Sequence, residues 1–145
     1  MPMPEMLHTV AEATLRRRVL ANLEAENASF SALRQHMAEA ADVRVSLDTP
    51  EIALAASEGL RRLIDRVAAG DQTLDPTALD TVARAAEVAA RMKSSVDLWF
   101  AQNATWQLLG RLVELRRRGA AGDRVAAQEA ADLERLARAL RLAVP

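Results

Sequence analysis

Ile52, Ala56, Leu60, Leu63 and Val67 follow one another at steps of four, four, three and four, the spacing that lines one face of an α-helix. Ahead of them, Asp48-Thr49-Pro50-Glu51 supplies a cap, a proline for the first turn and a carboxylate near the positive end of the helix dipole. The same period returns along most of the chain. It is backed by 31 Ala, 20 Leu and 18 Arg against only 5 Gly and 5 Pro. Ala, Leu and Arg give up little rotamer freedom in a helix. With no Tyr, two Phe and two Trp, the aromatic supply that sheets draw on is missing. The fold class that remains is all-α.

The pattern predicts a four- or five-helix bundle, mostly antiparallel because the connections are short. Residues 1–145 read as a single helical domain, with 1–45 a long or kinked N-terminal helix and 48–145 the bundle core. In the first stretch, Glu5 to Ala41, the apolar residues are Met6, Val10 and Ala13, then Leu15, Val19 and Leu23, then Phe30, Leu33 and Met37. The stripe shifts across Asn27-Ala28-Ser29, where Ser29 or Ser31 can cap a new helix. A single long helix is preferred over two. Val43, Val45 and Leu47 alternate with polar residues, but one short strand has no partner, so an extended linker is expected there.

Gly70 is expected to end the helix of Ile52 to Val67, and Asp75-Pro76 to open the next, through Leu79, Val82, Ala83, Ala86 and Ala90. Ser94-Ser95 separates this from a helix over Val96 to Arg118 that is apolar on two sides. Val96, Trp99, Trp106 and Val113 form one side; Leu98, Ala101, Leu108, Leu112 and Leu115 form the other. A helix apolar on two faces is normally covered on both, which predicts that 96–118 is the centre of the bundle. Gly119 to Asp123 reads as a loop whose Asp123 caps a last helix presenting Ala126, Ala130, Leu133, Ala137 and Leu140, with Leu136 widening the stripe.

Charge and composition remove several function classes. The 19 basic and 20 acidic residues leave a net charge of −1, so no global field attracts nucleic acid or an anionic membrane. The absence of cysteine excludes disulfides, thiolate metal sites and cysteine catalysis. Met1-Pro2-Met3-Pro4-Glu5-Met6 lacks the basic-then-apolar order of a secretory leader, and no apolar run reaches eighteen residues. A cytoplasmic location with no membrane partner is the expectation. No nucleophile elbow, phosphate-binding loop or glycine-rich dinucleotide turn is present, and no general acid or base can be nominated, so the reading leans away from an enzyme.

Few residues qualify as a site. His8 with Glu5 and Glu12 is the only local set resembling metal ligands, and it lacks a third strong ligand, so no metal or cofactor is expected. His36 beside Glu39 reads as a solvated surface pair. Arg16-Arg17-Arg18, Arg61-Arg62 and Arg116-Arg117-Arg118 spread charge around their helices, with carboxylates interspersed. The unusual segment is Asp97 to Trp106, which holds both Trp and one of the two Phe. Asn103 lies four residues after Trp99 and three before Trp106, so the three share a face, and Gln102 adds a second amide. Trp with amides suits stacking on sugar rings; it also suits core or interface packing.

Ser46-Leu47-Asp48-Thr49-Pro50, the Ala/Leu-rich helix after it, Asp97-Leu98-Trp99 and Ala101-Gln102-Asn103 resemble one known region. This is the C-terminal helical region, of unassigned function, in bacterial family-57 glycoside-hydrolase-like (amylase/mannosidase-like) proteins. In that family Leu-Trp, one variable residue and Ala-Gln-Asn begin a late helix followed by an aromatic position, here Trp106. The resemblance covers residues 46–115. It implies a detached helical module or a stand-alone relative, since the catalytic barrel of those hydrolases has no counterpart in this sequence. Gln102 and Asn103 match motif positions to which no catalytic role attaches.

The functional expectation is a non-catalytic helical interaction or accessory module. It self-associates or docks on a larger protein partner, of which a carbohydrate-active enzyme is one candidate. The alternatives are a small-ligand or carbohydrate-binding bundle using the Trp99/Gln102/Asn103/Trp106 face, and a nucleic-acid-binding or regulatory protein using the arginine runs.

Overall fold

The structure is a computed structural model that describes residues 4–25, 28–69, 77–92 and 96–145. Seven helices are found among them: α1 (Glu5–Glu24), α2 (Phe30–Asp42), α3 (Pro50–Ala68), α4 (Ala78–Ala90), α5 (Trp99–Leu109), α6 (Leu112–Ala120) and α7 (Arg124–Ala139). No strand occurs among the described residues, so the all-α class stands. No described helix is long and apolar enough to cross a membrane.

Local chemistry accounts for three of the helix starts. The Thr49 hydroxyl accepts from the Ile52 N–H ahead of Pro50, Ser29 accepts from Ala32, and Asp123 accepts from Ala126. Three helix ends close in the same way. The N–H groups of Val45, Asp123 and Leu142 reach back five residues to the carbonyls of Ala40, Arg118 and Ala137, with Arg44, Gly122 and Arg141 in the left-handed conformation. Between α2 and α3 the chain is extended, as expected, and buries Val45 and Leu47.

Packing centres on α3 and α7. Helix α3 lies against α1, α4 and α5, while α7 lies against α4, α5 and α6; α2 completes the group against α1 and α4. The α6–α7 pair is antiparallel: Arg116 meets Glu134, and Gly119 meets Ala127. The α3 stripe is buried as the sequence predicts at Ile52, Ala56, Leu60 and Val67, with Leu63 half-buried. All six positions anticipated for α7 are buried as well.

Two expectations are corrected. Residues 5–41 form two helices. Helix α1 ends at Glu24, and Arg62 of α3 donates to the Leu23 carbonyl in its last turn at 2.6 Å. The Asn22 amide bridges to Ser29, donating to its carbonyl at 2.7 Å and accepting from its N–H at 3.3 Å. The central position falls to α3 and α7, not to 96–118. That segment breaks at Gly110-Arg111, and only one of its two apolar sides is covered. Ala101, Leu108, Leu112 and Leu115 are buried, whereas Trp99, Trp106 and Val113 face outward. The expected boundaries at Gly70, Asp75-Pro76 and Ser94-Ser95 lie outside the described residues.

One buried position on α5 is out of balance. The Thr105 hydroxyl is fully buried with no hydrogen-bond partner among the described residues. Replacing it with the isosteric valine removes an unsatisfied group while keeping the shape of the side chain. Thr105→Val is therefore expected to stabilise by about 1 to 2 kcal/mol, read as a higher urea midpoint at unchanged slope. A lower midpoint would show that the hydroxyl is satisfied.

Candidate functional site

Helix α5 is short, and its start is set by Asp97, whose carboxylate accepts the Trp99 N–H at 2.9 Å in an Asx turn. Ser57 of α3 donates to the Asp97 carbonyl and ties this entry to the bundle. From there the helical period sorts the side chains. Ala101, Thr105, Leu108 and Leu109 turn inward.

Trp99, Asn103 and Trp106 turn outward, and each indole is 60% exposed. Phe100, 53% exposed, meets Trp99 edge to face with centroids 4.8 Å apart. Val113 on α6 is exposed too. From Leu98 to Gly110 there is no charged residue, in a chain where 27% are charged.

Three of the four candidate residues thus share one exposed face, and Gln102 leaves it. Its amide donates to the Leu140 carbonyl at 2.9 Å, satisfying the end of α7. Within the Ala-Gln-Asn motif, Gln102 holds two helices together and Asn103 faces solvent. Sequence spacing alone could not separate the pair, because the partner of Gln102 lies 38 residues away.

The other candidates do not assemble. His8 Nε2 lies 3.3 Å from the Arg44 carbonyl oxygen, and Glu12 pairs with Arg16 at 2.8 Å. No group of three His, Asp or Glu among the described residues lies close enough to hold a metal. His36 and Glu39 form the surface pair expected of them, 3.3 Å apart, and the hydrogen bond from His36 lowers the Glu39 pKa.

The arginine runs are largely occupied by the protein itself. Arg61 pairs with Glu58 and Asp65, Arg116 with Glu134, Arg117 with Glu114, and Arg118 with Asp123. Carboxylates thus neutralise much of the charge that a nucleic-acid backbone would need.

A feature the sequence did not announce joins α4 to α7. Arg135 forks onto Glu87, with Nε and Nη2 donating at 2.5 and 2.7 Å, and donates to Asp80 at 2.9 Å. These hydrogen bonds hold the Glu87 pKa below the ordinary glutamate range. A lowered folded-state pKa adds stability above the unfolded-state value, and that stability fades as pH falls through the folded-state value.

Arg135→Met is therefore expected to cost about 1 kcal/mol at neutral pH, the pair being partly exposed. The gap from the parent protein should close as pH drops below about 4.5, the ordinary glutamate value. Urea titrations at pH 7 and pH 3.5 test this, and a gap independent of pH would refute it.

Comparison of the chain with protein-family models, with curated proteins and with solved structures found no match.

Proposed function

We propose that this chain works in the cytoplasm as a non-catalytic helical interaction module that pairs with a second copy of itself through the outer face of α5. The observation that carries the reading is the set of Trp99, Phe100 and Trp106, each more than half exposed on a helix without charge. Interface cores are enriched in Trp and Phe and depleted in charge, and leaving such rings in water forgoes their burial.

The pattern also suits its own copy. Trp99 and Trp106 flank Asn103 at four and three residues, so a second α5 turned by 180° brings Trp99 opposite Trp106. The Asn103 amide supplies both a donor and an acceptor and can pair with its equivalent across the twofold axis. With a net charge of −1, two copies repel little.

Light scattering over a concentration series, with Trp emission recorded on the same samples, tests the proposal. A dimer with blue-shifted emission is expected. Trp106→Ala should weaken it about 30-fold or more, the effect of losing an interface anchor worth about 2 kcal/mol. Asn103→Asp places two like charges at the axis and should also give monomers, without disturbing the fold, because the side chain is exposed. A monomer at every concentration refutes self-association.

The second reading rests on the exposed amide between two indoles, an arrangement suited to stacking on a sugar ring and bonding its hydroxyls. Quenching of the monomer's Trp emission by malto-oligosaccharides would support it. The family-57 resemblance adds a carbohydrate-active enzyme as the larger partner on which the same face would dock.

A further inference from the structure

We infer that the cleft between α2, α4 and α7 binds a small organic anion, one that joins a phosphate or carboxylate to a compact apolar body. The cleft encloses about 600 Å³, within the range of small-molecule sites. Its apolar lining comes from Phe30 of α2, Leu63 of α3, and Ala85 and Val88 of α4. Four guanidiniums, those of Arg34, Arg84, Arg91 and Arg135, share the lining with two carboxylates, Asp80 and Glu87. The described lining residues therefore carry a net +2, on a chain that is −1 overall.

Both carboxylates are already engaged. Glu87 is held by two nitrogens of Arg135, and Asp80 by Arg135 and by Arg84 at 2.8 Å. Arg34 and Arg91 have no carboxylate partner among the described residues. Like charges gathered around a cleft raise its potential, and an anion entering it meets that field with less water to screen it than on an open surface.

The start of α2 opens into the same cleft. Ser29 and Ser31 line it, and the first-turn N–H groups of Phe30 and Ser31 have no partner within the helix. Cationic and hydroxyl groups for the head thus stand beside an apolar wall for the body. This inference is independent of the α5 face, which lies on another helix.

Binding can be followed by thermal shift and calorimetry on the full chain, with phenyl phosphate and benzoate as anionic probes and benzyl alcohol as the neutral one. Saturable stabilisation by at least one anion and none by benzyl alcohol is expected; which anion acts identifies the head group. Arg34→Gln and Arg91→Gln should each weaken binding about tenfold or more, as expected for loss of a charge-assisted hydrogen bond. Both side chains are exposed, so folding is not at risk. Arg17→Gln on the exposed side of α1 should leave binding unchanged. Failure of both anions to bind, equal binding of the alcohol, or full binding by the Arg34→Gln/Arg91→Gln double variant would overturn the inference.

Discussion

Leu60→Ala is expected to destabilise the protein by about 3 kcal/mol, within the range for truncating a fully buried leucine. Leu60 is 0% exposed on α3, the helix packed against α1, α4 and α5. The loss combines the transfer energy of three heavy atoms with a cavity that three neighbouring helices cannot all collapse into. Against a typical domain stability of about 5 to 15 kcal/mol, it removes roughly a fifth or more. Leu54 on the same helix is 64% exposed, so Leu54→Ala should stay within about 0.5 kcal/mol. Urea unfolding of both variants reads the contrast. Equal losses at the two positions would mean that α3 is not the covered centre of the bundle.

Gly119→Val is expected to cost about 2 to 3 kcal/mol through overpacking of the α6–α7 hairpin. A Cβ at Gly119 would sit 3.0 Å from both Cα and Cβ of Ala127 and 3.2 Å from its nitrogen. Two of these three are backbone atoms, so no rotamer change relieves the contact and the helices must separate. Gly119→Ala meets the same contact but regains about 1 kcal/mol of helix propensity, so its net loss should be smaller. Adding Ala127→Gly to the valine variant should recover part of the loss, since it removes one of the opposing atoms. Stability equal to the parent for Gly119→Val would show that the hairpin has slack at this crossing.

The face proposed to function was legible only in part. Spacing placed Trp99, Asn103 and Trp106 together, and the structure agrees. The same spacing carried no information on whether those rings are covered, because coverage depends on where other helices lie. Gln102 looked equivalent to Asn103 until the end of α7 was in place to receive its amide. The arginine-lined cleft had no sequence signature at all. Arg34, Arg84 and Arg135 come from three separate helices and meet only through packing.

Local sequence was enough for the helical class, the inward stripes of α3 and α7, and the capped starts ahead of Pro50 and at Asp123. Each of these rests on interactions within about one helical turn, such as a hydroxyl or carboxylate meeting an N–H three residues on. The left-handed closures at Arg44 and Arg141 escaped notice because arginine in that conformation carries none of the signal that glycine does. Tertiary structure decided where α1 stops, that 96–118 breaks at Gly110, and which apolar side of that segment is covered. These outcomes depend on pairs far apart in the chain, such as Arg62 with Leu23. A contact of that kind has no energy until the fold has brought its two halves together.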